Sequence, residues 1–537
     1  LSARPGMLER MKRRFRKWLG IEQRTIFDAA TTDRLLADWI SMRGTADDEL
    51  RWSLAKMRAR ARDLERNNGI ARHFLRALAT NVIGPCGFKH SPRVRDNSGD
   101  LNKQINAKIS EAWDQWCADP LIDGRMSLNG ASRLWIKSVA RDGELLIRMW
   151  RGRDNNRFQF ALEPIDVDQL DETLTVTKGG GMLDGWPVVG IVHMGIEMDE
   201  TTRKPIAYWV WSRPDDTIGV QAPRKRQRIP ANECIYLYDP DRIGQTRAPS
   251  WLVAAMIPLR HLNGYIESEL VAARVSAAKM MFFQQRDTTY GSATPAAGNS
   301  GFITEAQPGQ FGIVPPGYEV ADWSPDHPST AFGEFVKGGM RQVATAVGMS
   351  YNALGNDLEG VNYSSMRSGL LVERDYWRTC QDWWRDRFLI PVYTEWLRMA
   401  VLSGELVLDS RDFRKFLAVK FAGRGWPWVD PLKDMEAGIL GVQSGLASRT
   451  QLLAETGQDY EEVIEELAEE KRIAADYDVE IDGPSKVGPS TAAGETDAAD
   501  GGDAADGKQP GRSRFTAEVN GHKATRVRLR RNLGGQP

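Results

Sequence analysis

The most constraining stretch runs from Pro328 to Ala400, where two helical runs are separated by a short loop and almost nothing else. Phe332, Phe335, Val336, Met340, Val343 and Val347 recur at helical spacing, with Glu334, Lys337 and Arg341 on other faces, so the first run predicts a helix with one apolar stripe. Gly348 is placed to stop it, and a glycine-bounded loop follows from Gly355 to Asn362. The spacing predicts a second helix from Ser364 or Ser365, either of which can cap it, with Met366, Leu370, Trp377, Cys380, Trp384 and Phe388 as its stripe. Continued to Ala400, that helix spans about 50 Å at ~1.5 Å per residue and must buttress several elements. Pro391 lies inside it; with no N–H to donate and a ring that clashes with the preceding turn, it predicts a kink.

The remainder is mixed. Helical spacing covers Leu50 to Val82, broken at Asn67-Asn68-Gly69, then Leu101 to Ala118 and Pro249 to Phe283, where Pro258 predicts a bend. Ala272, Ala273, Ala277 and Ala278 in the last of these suit either ordinary core packing or close approach of equivalent helices. Strands are predicted at 144–150, 157–164, 191–198, 206–212 and 233–238, with a hairpin turn over Asp199 to Pro205. Residues 284–327 are rich in glycine and proline, with short strands at Phe302-Ile303-Thr304, 311–314 and 318–323, the last two joined by Pro315-Pro316-Gly317. Strands at 406–408 and 417–421 extend the earlier sheet, and three helices occupy 431–477, the middle one capped by Ser448-Arg449-Thr450-Gln451. From Asp478 the chain loses periodicity and reads as a disordered tail. The fold class is therefore α+β.

Composition narrows the function. The formal net charge of -1 excludes a chain that is basic throughout and binds DNA by counterion release, although residues 1–24 and 512–531 are locally basic. Each basic end reads either as a solvated arm or as a contact for DNA or another shell component. The 18 tryptophans fit a large aromatic core or extensive subunit contact equally well. Cys86, Cys117, Cys234 and Cys380 are far apart and form no CxxC pair, which points to reduced thiols. No apolar run is long enough for a membrane span.

Three separated motifs carry a resemblance. Gly348-Met349-Ser350-Tyr351 with Gly360-Val361-Asn362-Tyr363-Ser364-Ser365-Met366-Arg367, then Gly244-Gln245-Thr246-Arg247-Ala248-Pro249 upstream and Trp428-Val429-Asp430-Pro431-Leu432-Lys433-Asp434 downstream, occur in the order seen in bacteriophage portal proteins of the lambda family. The chain resembles that family from about Ala61 to Glu470 and departs from its pattern at Ala248, where glycine is expected.

The resemblance implies an elongated portal subunit: a basic arm (1–49), a wing (50–242), a stem helix (243–283), a β-rich clip (284–327), a second stem helix (328–354), a tunnel loop (355–363), a long kinked helix with wing completion (364–430), a helical crown (431–477) and a tail (478–537). It implies a dodecameric ring at one capsid vertex of the virion, assembled in the host cytoplasm, through which double-stranded DNA is packaged and ejected. Asp357, Leu358, Glu359, Gly360, Val361 and Asn362 would face the DNA. The clip, with Phe302, Phe311, Tyr318 and Trp323, would dock the terminase large subunit and later a head-completion protein, and the major capsid protein would surround the ring. No cofactor, metal, membrane or catalytic activity is implied.

The residues themselves offer little catalysis. The string Gly502 to Gln509 imitates a phosphate loop but lacks the magnesium-binding hydroxyl and sits in low-complexity sequence, and the six histidines show no ligand spacing. Asp166 with Asp168, and Asp239 with Asp241, read as turn residues; as magnesium ligands they would support the alternative of a nuclease. A non-portal ring of a phage tail is the other alternative.

Overall fold

The computed structural model describes residues 44–96, 98–152, 156–212, 225–277, 282–285, 318–321, 331–357, 359, 363–426, 431–458 and 460–477. The expected tail and most of the basic arm lie outside the described residues. The chain divides into two units, Leu1–Leu467 and Ala468–Pro537, and of the second only the end of one helix and the residue after it are described.

Helices α1 (Ala46–Leu50), α2 (Leu54–Asn67) and α3 (Gly69–Val82) open the described chain. Asn68 separates α2 from α3 and caps the latter, its side chain accepting from the Ala71 N–H, so the predicted break is a helix boundary. Strand β1 (Lys89–Pro92), helix α4 (Lys103–Ala118) and helix α5 (Leu128–Asp142) follow. Sequence periodicity missed α5, although Ser127 caps it and Gly143, at φ 93°, ends it.

Two sheets form next. Strands β2 (Glu144–Arg151) and β3 (Phe160–Ile165) pair antiparallel, with β10 (Cys234–Tyr238) on the far side of β2. After the β4 (Met182–Leu183) and β5 (Trp186–Pro187) hairpin, β6 (Ile191–His193), β7 (Ile196–Met198), β8 (Pro205–Trp211) and β9 (Arg226–Pro230) make an antiparallel meander. The alternation of β2 assigns its two faces: Leu145, Ile147 and Met149 enter the core shared with the helices, whereas Leu146, with Ile165, packs among Ile191, Ile196, Tyr208 and Ile229 of the meander. The single strand expected at 191–198 is corrected to two. Met194 at φ 46° and Gly195 at φ 82° form a two-residue turn between β6 and β7, whose twist requires positive φ at both positions.

Helix α6 (Val253–Ala277) contains Pro258, and its second half leaves Ala272 and Ala273 half-buried. The helix expected to reach Phe283 stops short, because Phe282 begins β11 (Phe282–Gln285), which pairs with β12 (Tyr318–Ala321). The partner expected for the latter, 311–314, lies outside the described residues, as does the predicted strand at 302–304.

Helix α7 (Phe332–Val347), the short α8 (Tyr351–Gly355), α9 (Tyr363–Trp384) and α10 (Ile390–Leu402) occupy the stretch read as two helices and a loop. Helix α9 has begun by Tyr363, so Ser364 and Ser365 lie in its first turn and do not cap it. At the expected kink the backbone widens into a π turn over Arg385–Leu389, with the Ile390 N–H bonding to the Arg385 carbonyl, five residues back. Pro391 has no N–H to give, and the wider turn accommodates its ring at the start of α10. Trp377, Trp384, Phe388, Val392, Trp396 and Ala400 are buried along the whole length.

Beyond α11 (Phe413–Phe416), β13 (Val419–Ala422) pairs antiparallel with β1, so the strand expected near 417–421 does return to residues of the 50–242 segment, in a two-stranded sheet, whereas 406–408 form no strand. Helices α12 (Pro431–Gln443), α13 (Arg449–Glu455) and α14 (Tyr460–Asp476) end the described chain, with Ser448 accepting from the Gln451 N–H as predicted.

Tryptophan serves the core in most of the described chain: Trp116, Trp135, Trp209, Trp377, Trp384 and Trp396 are fully buried, against Trp52 at 84% exposure. Around Trp113 the rings of Trp396, Trp116 and His90 lie at 4.9, 5.1 and 5.2 Å. Neither nitrogen of His90 has a hydrogen-bond partner among the described residues, and burial pushes its pKa down to about 3. A folded-state pKa below the ordinary value of about 6.5 means that the unfolded chain takes the proton first. Stability present above pH 6.5 is then lost as pH falls toward 3, by at most about 1.4 kcal/mol per pH unit. His90→Phe should flatten the fall in thermal midpoint between pH 6.5 and 4; an unchanged slope would show that the imidazole is not held neutral.

Candidate functional site

The start of the loop between α8 and α9 is positioned from three sides. Met340, Val343, Ala344 and Val347 bury one face of α7, and Gly348 ends the helix at φ 71°, its N–H reaching the Ala344 and Thr345 carbonyls. Ser350 then caps α8 and is tied to α9: its hydroxyl donates to Glu373 Oε2 at 2.7 Å and its N–H to the same oxygen at 3.2 Å. Trp377 Nε1 donates to the other Glu373 oxygen at 3.1 Å, so this nearly buried carboxylate joins the two helices. From α3, His73 Nε2 lies 3.1 Å from the Ala353 carbonyl.

Asn356, left-handed at φ 49°, turns the chain out of α8. The Tyr351 hydroxyl donates to Asp357 Oδ2 at 2.6 Å, and the Glu359 N–H donates to Asp357 Oδ1 at 3.1 Å. The Tyr351 hydroxyl, and next the Glu359 N–H, hold the Asp357 carboxyl below the usual range, while Asp357 pushes the tyrosine up to about 12. Of the residues expected to face DNA, Asp357 is therefore engaged at the loop's exit from α8, and Glu359 is exposed. Leu358, Gly360, Val361 and Asn362 lie outside the described residues. So do Phe302, Phe311 and Trp323 of the expected clip; Tyr318 lies in β12, opposite Gln285 of β11.

The other two motifs prove to be joints. Arg247 and Glu144 are both fully buried and paired: Arg247 Nε lies 2.8 and 2.9 Å from the carboxylate oxygens, while Nη1 donates to the Met194 carbonyl at 2.7 Å. Arg58 of α2 and the Tyr236 hydroxyl of β10 complete the coordination of Glu144. The preceding segment is held to α1, with the Thr246 N–H on Asp47 at 2.9 Å and Arg242 on Glu49 at 2.7 Å. Ala248 is fully buried and is not among the residues with left-handed backbone, so a methyl group is accommodated where glycine was expected. At the third motif, Asp434 pairs with Arg367 of α9 at 2.6 Å, linking two of the motifs across 67 residues of chain.

The carboxylates considered for magnesium take other roles. Asp168 receives Arg58 at 2.6 Å and also Arg62, which reaches Asp166 at 3.1 Å. Burial works against ionisation of Asp168, but hydrogen bonds from the two arginines outweigh it and hold its pKa down. The turn reading of Asp166 and Asp168 holds, since Asp166 caps a short 3-10 turn by accepting from the Asp168 N–H at 2.9 Å, and the two acids also join an ion-pair network that anchors α2. Asp239 is pushed up, first by burial and then by Asp241.

The sequence profile described as phage portal protein, lambda family, matches residues 32–381. A probable portal protein of Halomonas phage phiHAP-1 is 34% identical over 455 residues, covering 83% of this chain and 86% of that protein. Portal protein B of Escherichia phage lambda is 20% identical over 476 residues, covering 81% and 87% respectively. Among solved structures, a chain from the neck of an empty GTA particle aligns with 79% of this chain and 98% of its own length, at 11% identity and a TM-score of 0.39.

Proposed function

The chain belongs to the lambda family of phage portal proteins, and from that premise we propose that its copies close into a ring at one capsid vertex, with an axial channel for double-stranded DNA during packaging and ejection. In this reading the loop over 355–363 lines the narrow part and presents Glu359 to the DNA. An acidic lining suits a conduit, because every cation facing the duplex would add a phosphate contact to be broken at each step. The segment 284–327, with Phe302, Phe311, Tyr318 and Trp323, would dock the terminase large subunit, which supplies ATP hydrolysis, and later the head-completion protein. The major capsid protein would hold the ring's outside, and the wing, stem and crown boundaries follow the family plan.

The supporting observation is the apolar surface left uncovered on the helices beside the loop. Ile257, Leu270 and Val271 of α6 are 63, 56 and 51% exposed, Phe335 of α7 is 59% exposed, and Val372 of α9 is 71% exposed. Helices of this length ordinarily bury such a face, and a neighbouring copy would cover it in a head-to-tail ring. Native mass measurement and electron microscopy of the purified protein should find closed rings with an axial hole; monomer alone over a broad concentration range would refute the assembly.

The portal itself would break no bonds. Asp166 and Asp168 are neutralised by Arg58 and Arg62, which supports a structural role over a magnesium site. Purified protein incubated with magnesium should neither cleave DNA nor hydrolyse ATP. Either activity, abolished by a single carboxylate substitution, would favour the nuclease reading.

A further inference from the structure

Strand β1, the start of α4 and the first turns of α14 enclose a groove of about 860 Å³, whose charged lining outside α14 is Lys89, Arg93, Arg95 and Lys103 with Asp100. Helix α14 is held on this side by ion pairs, with Glu461 on Arg93 at 2.8 Å and Glu465 on Lys103 at 2.8 Å. The second pair lies largely in water, with Lys103 81% and Glu465 64% exposed, and in the first Glu461 is 56% exposed over a half-buried Arg93. Such pairs are weak and screened by salt. The apolar residues Val463 and Leu467 of the same helix line a neighbouring cavity with Leu452 and Leu453 of α13, and Tyr460 and Ile464 line both. The helix therefore lies across a groove in which, its own glutamates aside, four cations face one carboxylate, and it meets them through two ion pairs beside Tyr460 and Ile464.

We propose that this groove binds the phosphate backbone of double-stranded DNA, and that Glu461 and Glu465 occupy it as stand-in anions until DNA displaces them. Glutamates four residues apart on a helix have Cβ atoms about 5–6 Å apart, the same order as the phosphate spacing along one strand, so a strand can reach both cations. A duplex also gains from counterion release, which two carboxylates on the same chain do not provide. The choice of DNA over another polyanion rests on the conduit reading. The site itself does not, because the groove lies within one subunit and is lined by no residue of the loop.

The test is fluorescence anisotropy of a short labelled duplex against the full chain, alongside hydrogen exchange of the amides at 460–467. Glu461→Gln/Glu465→Gln should bind the duplex about tenfold more tightly than wild type at low salt, as expected when two weak competing pairs are removed. Adding Arg95→Glu/Lys103→Glu should abolish the gain. The basic termini are common to all these proteins, so the differences isolate the groove. Duplex should also accelerate exchange at 460–467 in wild type. The proposal is overturned if the glutamine variant gains nothing, if its gain survives the groove reversals, or if duplex leaves the exchange unchanged. Acceleration by an acidic peptide but not by duplex would overturn DNA as the occupant. Loss of ring formation with these affinities intact would count against the conduit reading alone.

Discussion

Arg247→Ala should unfold at a temperature roughly 6–20 °C below wild type, if it yields soluble protein at all, because a buried pair that loses one partner costs about 3–5 kcal/mol and each kcal/mol is worth a few degrees in a domain of this size. The substitution leaves Glu144 at zero exposure with its carboxylate facing an empty space, and Arg58 at 3.5 Å is too distant to replace a forked guanidinium. The Met194 carbonyl in the β6–β7 turn loses its donor as well. Arg247→Lys retains charge but cannot fork, so its midpoint should fall between the two. Arg472→Ala removes only an exposed pair one helical turn away from its partner and serves as the control, with a change near zero. A melting curve for Arg247→Ala within a degree of wild type would show that the joint carries no stability.

Glu359→Lys should assemble rings normally yet package DNA several-fold more slowly or stall, with partial recovery as salt rises. The substitution places one new cation per copy around the proposed constriction, and each phosphate it neutralises must be released for the duplex to advance. Asp357 is the wrong residue for this experiment even though the sequence marks both acids alike. Its carboxylate accepts from Tyr351 and from the Glu359 N–H, so Asp357→Lys would also release the loop's exit from α8 and mix two causes. Packaging by Glu359→Lys that matches wild type at every salt concentration, with rings confirmed by microscopy, would remove this residue from the DNA path.

Local chemistry was legible where one element determines it. The apolar stripes of α7 and α9, the stop at Gly348, the break at Asn68 and the cap at Ser448 rest on spacing of three or four residues and on single side chains, all visible in the chain. Pairings across long separations were not. Nothing in the neighbourhood of Arg247 announces Glu144, and the contact of Asp434 with Arg367 joins stretches that periodicity treats as independent. Short elements were lost for a related reason: β6 and β7 are three residues each, and the two-residue turn between them lies inside an apolar run. At the candidate site, the sequence located the loop and its two acids but could not distinguish the tethered carboxylate from the exposed one, because Tyr351 lies in a helix too short to produce a period.

The π turn at Arg385–Leu389 gives the long helix one residue more than an unbroken α-helix would hold over the same rise. The wide turn absorbs that residue, so Phe388, Val392, Trp396 and Ala400 stay buried along with Trp377 and Trp384. Deleting a residue from regular α-helix turns everything after it by about 100°. Deleting one within Arg385–Leu389 would instead close the wide turn to an ordinary one and leave Val392 and Trp396 in the core. The same deletion early in α10 has no slack to draw on and would swing Trp396 and Ala400 out. The wide turn is thus where this helix can lose a residue and keep its buried face.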